Sequence, residues 1–418
     1  MPRLSALAGT LTAETAFTVL AAARGLKARG KDVVELEIGD SPFPSTPHAK
    51  EAGLAAIRAD RTGYGPSLGL PELREAAARA VAAEFGIAAT AEQVAVASGA
   101  KPFEQYFAEA LLEPGDGVLI FSPQFPTYVP NLHRVGARPV LVPLRPEDDF
   151  RPRADAVAHF LATDPRPRGV FLNSPHNPTG GVATRADLEA IAAVVRGTDL
   201  VVFSDEPYCH MAWRTRHESL LALPGMFEHV VAVYTFSKSY SMSGWRIGFA
   251  VAHPEVVEAL GKLINTTASC SPPFVQLAAC AALEHDAPTR DEYMGRFRHK
   301  VTRLAEGLAR IEGLLVSPPA GTFYVFPDVR AVCNGLGLTS HGLALYLLEG
   351  ADDDFGVACL GGECFGAAGQ GFLRFSCAET DERIDRAVAF LPEALGRGDR
   401  VARFLARSPQ FRLDRPYS

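Results

Sequence analysis

The chain is short of lysine. Only seven of its 41 basic residues are lysines (Lys27, Lys31, Lys50, Lys101, Lys238, Lys262 and Lys300), and the rest are arginines. Arginine keeps its proton near neutral pH, whereas a buried lysine can become a neutral nucleophile. Lys238, set among hydroxylated residues in 234-YTFSKSYSMSGWRIGF-249, is therefore a candidate for amine chemistry. Positive charge is short overall, and the formal net charge of −7 argues against a nucleic-acid platform or an anionic membrane surface. The seven cysteines are odd in number and contain no CxxC pair, which fits reduced thiols in the cytoplasm better than a disulfide framework. No apolar run approaches the length of a membrane-crossing helix. Thr10, Thr12, Glu14 and Thr15 interrupt the apolar residues near the start, which excludes a signal-peptide core and leaves an amphipathic helix. Internal repeats and low-complexity segments are also missing.

What is present is core. A length of 418 residues suits two or three domains, or one large α/β domain with a smaller partner, and 47% hydrophobic with 21% charged residues is the composition of a soluble globular protein. Seven short apolar runs read as strands: 93-QVAVAS-98, 117-GVLIFS-122, 138-RPVLVPL-144, 169-GVFLN-173, 200-LVVFSDE-206, 230-VVAVYTFS-237 and 246-RIGFAVA-252. Helical patterns lie between them, such as 185-RADLEAIAAVVRG-197 with Gly197 as its stop. Continuous apolar strands between helices predict a mostly parallel sheet buried on both faces, with ligands beyond the carboxyl ends of the strands. The polar ends Ser98, Asn173, Asp205 and Lys238 should converge there. After about residue 290 the texture changes to a long helix, 291–313, and short strands in 321–328 and 372–378, which reads as a smaller α+β domain. The expected division is 1–45 joining the small domain, 46–290 as the large domain, 291–396 as the small one and 397–418 as an added helix and irregular tail.

Four segments carry chemistry. Asp205 in 202-VFSDEPYCH-210 ends an apolar strand, where a buried carboxylate needs a cation; it is a structural ion pair or cap, or the counter-charge to a protonated cofactor nitrogen. In 173-NSPHNPTGG-181 prolines and glycines fix a turn that presents Asn177, with His176 a neighbour rather than a base. The stretch 97-ASGAKPFEQYF-107 opens a helix whose N–H groups suit a phosphate, although it lacks the GK[ST] of a Walker loop. In the lysine segment, Thr235, Ser237 and Arg246 offer two hydroxyls and a guanidinium to a phosphate dianion, beside a lysine able to form a Schiff base.

Together these motifs resemble the class I/II aminotransferases, aspartate aminotransferase-like pyridoxal phosphate (PLP) enzymes of fold type I, over about Phe17 to Leu395. The resemblance implies a seven-stranded, mostly parallel sheet sandwiched by helices, and a PLP Schiff base on Lys238. It implies that Thr235, Ser237 and Arg246 hold the phosphate with the Ala100 and Lys101 backbone. By the same likeness Phe125 stacks on the ring, Asp205 pairs with its nitrogen, and Asn177 and Tyr208 meet its phenolic oxygen. Arg374 in 372-FLRFSCA-378 falls at the arginine that grips the substrate carboxylate, and Gly39 lies near that carboxylate. Tyr64 matches a tyrosine that reaches the neighbouring subunit's phosphate, which implies a homodimer. The loop 361-GGECFG-366 departs from the family's PGSxFG, and GDSPF from its GEPDF, so substrate preference stays open.

The implied activity moves the amino group of an L-amino acid to a 2-oxo acid, with Lys238, Asp205 and Tyr208 as the catalytic set, no metal, and no nucleic-acid or membrane partner. The alternative is another PLP reaction on the same scaffold, such as elimination, replacement, decarboxylation or a tailoring step. A ligand-sensing regulator would need an added DNA-binding domain, and about sixteen residues precede the resemblance.

Overall fold

The computed structural model describes residues 3–10 and 14–418. Its centre is a seven-stranded sheet in the order β2-β8-β7-β6-β5-β3-β4. The strands are β2 (Val94–Ala97), β3 (Gly117–Ser122), β4 (Arg138–Pro143), β5 (Pro167–Asn173), β6 (Val201–Asp205), β7 (Val230–Thr235) and β8 (Gly248–Val251), one for each of the seven apolar runs. All pair in parallel except β8, which lies antiparallel to both β7 and β2.

The inner strands are buried on both faces because they are apolar through their middles, whereas the edge strand β4 stays partly exposed. Along β3, Leu119 and Phe121 join one hydrophobic cluster while Val118 and Ile120 join another. The alternation is the period-two consequence of strand geometry, with helices covering each side. The helix Arg185–Val195 starts where Thr184 and Asp187 form a capping box, and Gly197 follows it at φ 74°, a left-handed turn that glycine adopts without strain.

A second group of elements carries its own hydrophobic cluster around Phe297, Phe323 and Phe375. Here β1 (Asp32–Glu35) pairs in parallel with β10 (Phe355–Ala358), which joins the chain's beginning to its last third. A three-stranded sheet orders β11 (Leu360–Gly361), β12 (Leu373–Ser376) and β9 (Tyr324–Val325). The long helix spans Ala287–Leu308, starting before the expected 291 because Pro288 sits in its first turn, where a missing N–H costs nothing. Of the expected strand 321–328 only Tyr324–Val325 is regular. Helices Ala6–Thr10 and Thr15–Ala28 stand near the start; residues 11–13 of that expected amphipathic segment lie outside the described residues. No helix among the described residues is long and apolar enough to cross a membrane.

Candidate active site

Topology brings the expected residues to one edge of the sheet. Asn173, Asp205 and Thr235 are the last residues of β5, β6 and β7, and Asn173 pairs with Asp205 in register. Arg246 arrives from the opposite chain direction: because β8 is antiparallel, its first residue Gly248 pairs with both Thr235 and Ala97. The one reversed strand thus delivers an arginine to the carboxyl edge of its neighbours. The residues to which the resemblance gives a role, apart from Tyr64, line a single cavity of about 480 Å³, while Ser98 and His176 lie outside its lining.

Asp205 forms the floor. It is buried, and its Oδ2 accepts a 2.5 Å hydrogen bond from the Tyr128 hydroxyl. Burial pushes its pKa up to about 6 and Glu206 adds to this, while the Tyr128 bond and Lys238 oppose it. Its backbone carbonyl accepts from the Asn173 amide at 2.8 Å, and Asn173 Oδ1 accepts from the Asn177 N–H at 2.9 Å, so the turn 173–178 is tied to the strand below it. His176 is buried against Thr179 at 2.7 Å and burial holds its pKa down near 3, so it stays neutral.

One polar chain crosses the cavity. Asn177 Nδ2 donates to the Tyr208 hydroxyl at 3.5 Å, which lies 3.2 Å from the Tyr324 hydroxyl. Arg374 donates to Asn177 Oδ1 at 3.0 Å and to the Glu37 carbonyl at 2.5 Å. Its guanidinium is sandwiched between the rings of Tyr324 at 4.2 Å and Phe365 at 4.9 Å, and its Nε is buried without a hydrogen-bond partner. A planar cation held between two rings is fixed in orientation for a bidentate anion. Gly39 passes so close to Tyr324 that a Cβ there would collide with its hydroxyl.

At the other end lies an anion cradle. Thr235 Oγ1 and Ser237 Oγ are 2.9 Å apart, and Arg246 donates to the Ser243 and Ser98 carbonyls at 2.8 and 3.3 Å. Gly99 has φ 97°, and a Cβ on it would stand 2.6 Å from Arg246 Nη2. Arg246 itself has φ 56°, a strained conformation for a side chain of its size and of the kind that gathers at functional sites. Ala100 and Lys101, at the start of the helix Lys101–Leu111 where N–H groups have no partner within the helix, line the same space. The Lys101 side chain is ion-paired with Glu14 and lies 5.2 Å from the Phe125 ring centroid. Lys238 Nζ, half-buried, donates to the Gly39 carbonyl at 2.5 Å, with the Tyr208 and Phe323 rings 5.8 and 5.7 Å away.

Four residues of this neighbourhood were not singled out in the sequence. Tyr128 closes the same 122–128 stretch that carries Phe125, and only its partner in space reveals it. Tyr324 sits in a short, continuously apolar run, Phe323 to Phe326, that gave no polar signal. Glu104 is buried, accepts from Thr127 at 2.5 Å and Asn131 at 3.0 Å, and burial with the nearby Asp205 raises its pKa to about 8. Glu37 is fully buried with neither oxygen bonded, and burial raises its pKa to about 7. Both show as acidic residues breaking apolar periodicity. Tyr64 stands apart from the cavity and is 91% exposed.

The family model described as aminotransferase class I and II matches residues 31–391. An aspartate aminotransferase of Pyrococcus abyssi is 35% identical over 87% of this chain and 92% of its own. An arginine–pyruvate transaminase of Pseudomonas aeruginosa is 35% identical over 83% of this chain and 86% of its own. Among solved structures, the aspartate aminotransferase of Thermus thermophilus with maleate superposes with a TM-score of 0.87 at 31% identity, over 94% of this chain and all of the other.

Proposed function

This chain belongs to the class I and II aminotransferases and is a PLP-dependent transaminase; on that premise we propose which of its residues carry out the transfer. The cavity suits PLP on chemistry visible in this chain. Asp205 is a buried carboxylate whose side-chain partner is a neutral hydroxyl rather than a cation, which suits a protonated ring nitrogen. Arg246, Thr235, Ser237 and the backbone at Ala100 and Lys101 form a cradle that a Cβ at Gly99 would fill, which suits a phosphate. When bound, PLP supplies the electron sink that makes a substrate's α-proton removable.

In this reading Lys238 would hold the cofactor through its amine, and the same Nζ is the base placed to take a substrate's α-proton. Asp205, held by Tyr128, keeps positive charge at the ring nitrogen's place, and Phe125 supplies an apolar face for the ring. Asn177 and Tyr208, whose polar atoms are 3.5 Å apart, would both donate to the cofactor's phenolic oxygen. Arg374 grips the α-carboxylate as a fork, and its hydrogen bond with Asn177 locks the carboxylate subsite to the ring subsite. Tyr64 acts on a partner subunit, so the enzyme is a homodimer. The seven free cysteines support a cytoplasmic location. The pairing of β1 with β10 supports joining 1–45 to the small domain 291–396, with 46–290 as the large domain and 397–418 as an extension.

The lining also bears on substrate. The segment near the start contributes Glu14, Ala16, Phe17, Ile38 and Asp40. Of the four cations lining the cavity, Lys238, Arg246 and Arg374 have assigned tasks and Lys101 is neutralised by Glu14. A second carboxylate would meet acids and apolar groups there, so apolar, aromatic or cationic side chains are favoured over aspartate.

The observation that carries the whole reading is the convergence of Lys238, Asp205, Arg246 and Arg374 on one cavity from separate chain segments. The test is a half-reaction screen across amino acids, read from loss of the cofactor's absorbance band and from oxo acid released. One equivalent of oxo acid supports transamination; release of ammonia or thiol, or carbon dioxide, points to another PLP reaction. A preference for aspartate would overturn the side-chain reading alone.

A further inference from the structure

The segment 409–418 is fastened to the helix Arg330–Leu336 and to the turn that follows it. The Thr339 N–H donates to the Phe411 carbonyl and the Leu413 N–H to the Gly337 carbonyl, each at 2.9 Å. Asn334 exchanges two hydrogen bonds with the Tyr417 backbone, at 3.0 and 2.8 Å. Arg330, braced by Asp328, reaches the Ser418 carbonyl oxygen. These fastenings aim one side chain inward. The Tyr417 hydroxyl accepts from the Ser340 N–H at 3.1 Å and donates to Glu363 Oε1 at 3.0 Å.

Glu363 belongs to the turn Gly362–Phe365, the loop in which this chain departs from its family's usual wording. Its other oxygen, Oε2, is buried without a hydrogen-bond partner, so the Tyr417 hydroxyl is the side-chain donor that holds this carboxylate. The far side of the same turn faces the active site. The Phe365 ring lies 4.9 Å from the Arg374 guanidinium, and the Phe365 carbonyl accepts at 2.8 Å from the N–H of Gln124, next to Phe125. Behind the turn, Gly362 and Gly369 pass so closely that a Cβ on either would strike the other's backbone. The turn therefore has little room to settle elsewhere without losing one of its contacts.

We propose that Tyr417 is a positioning residue for the substrate-carboxylate subsite, acting through Glu363 to set the turn whose Phe365 backs Arg374. The proposal rests on the reading of Arg374 as the carboxylate grip. A carboxylate held by one hydroxyl transmits its position to a ring two residues on, and that ring closes one face of the guanidinium.

The test uses the full-length holoenzyme and four variants: Tyr417→Phe, Glu363→Ala, Glu363→Gln and Arg374→Lys. Each is measured for KM and kcat with an amino acid and with a 2-oxo acid, for cofactor affinity, and for amide exchange over 361–372. In Tyr417→Phe both KM values should rise roughly tenfold, the worth of one hydrogen bond to a charged group, with kcat within about twofold, cofactor affinity unchanged and faster exchange in the turn. Glu363→Ala should reproduce this, the double variant should add little to it, and Glu363→Gln, which keeps an acceptor, should stay near the unmodified KM. A Tyr417→Phe protein with unchanged KM overturns the proposal, even if its thermal stability falls. Arg374→Lys separates the two failures: if it too leaves KM unchanged, the carboxylate assignment fails, whereas if it raises KM while Tyr417→Phe does not, only the proposal fails.

Discussion

The Tyr128 hydroxyl donates a 2.5 Å hydrogen bond to Asp205 Oδ2 at the buried floor of the cavity. It favours the charged carboxylate against a burial that otherwise raises the Asp205 pKa to about 6. Removing it in Tyr128→Phe leaves Asp205 protonated to higher pH. Cofactor affinity, measured by equilibrium dialysis against pH, should then begin to fall on the acid side about one to two pH units higher than in the unmodified protein. An unshifted acid limb would show that the hydroxyl does not support the carboxylate.

Arg374 and Asn177 are joined at 3.0 Å, which couples two subsites. Asn177→Ala should weaken both cofactor binding and the grip on substrate carboxylate, each by about tenfold. Combined with Arg374→Lys, the losses in kcat/KM should be clearly less than additive, because the partners share one bond. Strict additivity in this double-mutant cycle would mean that the two residues act separately.

Glu37 and Glu104 make stability depend on pH in one direction. Burial lifts the folded-state pKa of Glu37 from 4.5 to about 7 and that of Glu104 from 4.5 to about 8. The folded state therefore holds protons that the unfolded chain has released, and the stability so conferred is complete below about pH 4.5 and lost as pH rises through 7 to 8. Glu37→Gln should match the unmodified protein in urea unfolding at pH 5 and exceed it at pH 8 by on the order of 2 kcal/mol. The same gap at both pH values would show that Glu37 does not titrate in this window.

Tyr64, at 91% exposure, presents a phenol outside the lining of the candidate site's cavity. Sedimentation should give twice the chain mass of 44.7 kDa. Tyr64→Phe should remain dimeric and lose about tenfold in cofactor affinity, the cost of one hydrogen bond to a charged phosphate. A fully active monomer would remove the trans role.

The sheet was readable because its inner strands are near-continuous apolar runs ending in a polar residue, a pattern that a two-faced buried sheet requires. The pairing of β1 with β10 was not, since DVVE holds only two apolar residues and its partner lies over 300 positions away. The reach of the long helix was misplaced by its proline start, and the short β9 by the bends around it. In the site, residues at strand ends were legible because strand direction alone sets where they emerge. Tyr128, Tyr324, Glu37 and the Tyr417–Glu363 contact depend on which segments pack together, and no spacing within any one segment announces that. Glu37 and Glu104 left a faint trace as acids within apolar patterns, since a buried carboxyl is costly enough to need a reason.

The central claim is that Lys238, alone of seven lysines, carries the cofactor. Borohydride reduction of the holoenzyme followed by peptide mass mapping tests it directly. The account predicts one cofactor adduct, on the peptide containing Lys238. An adduct on Lys101 or any other lysine, with Lys238 unmodified, would contradict it.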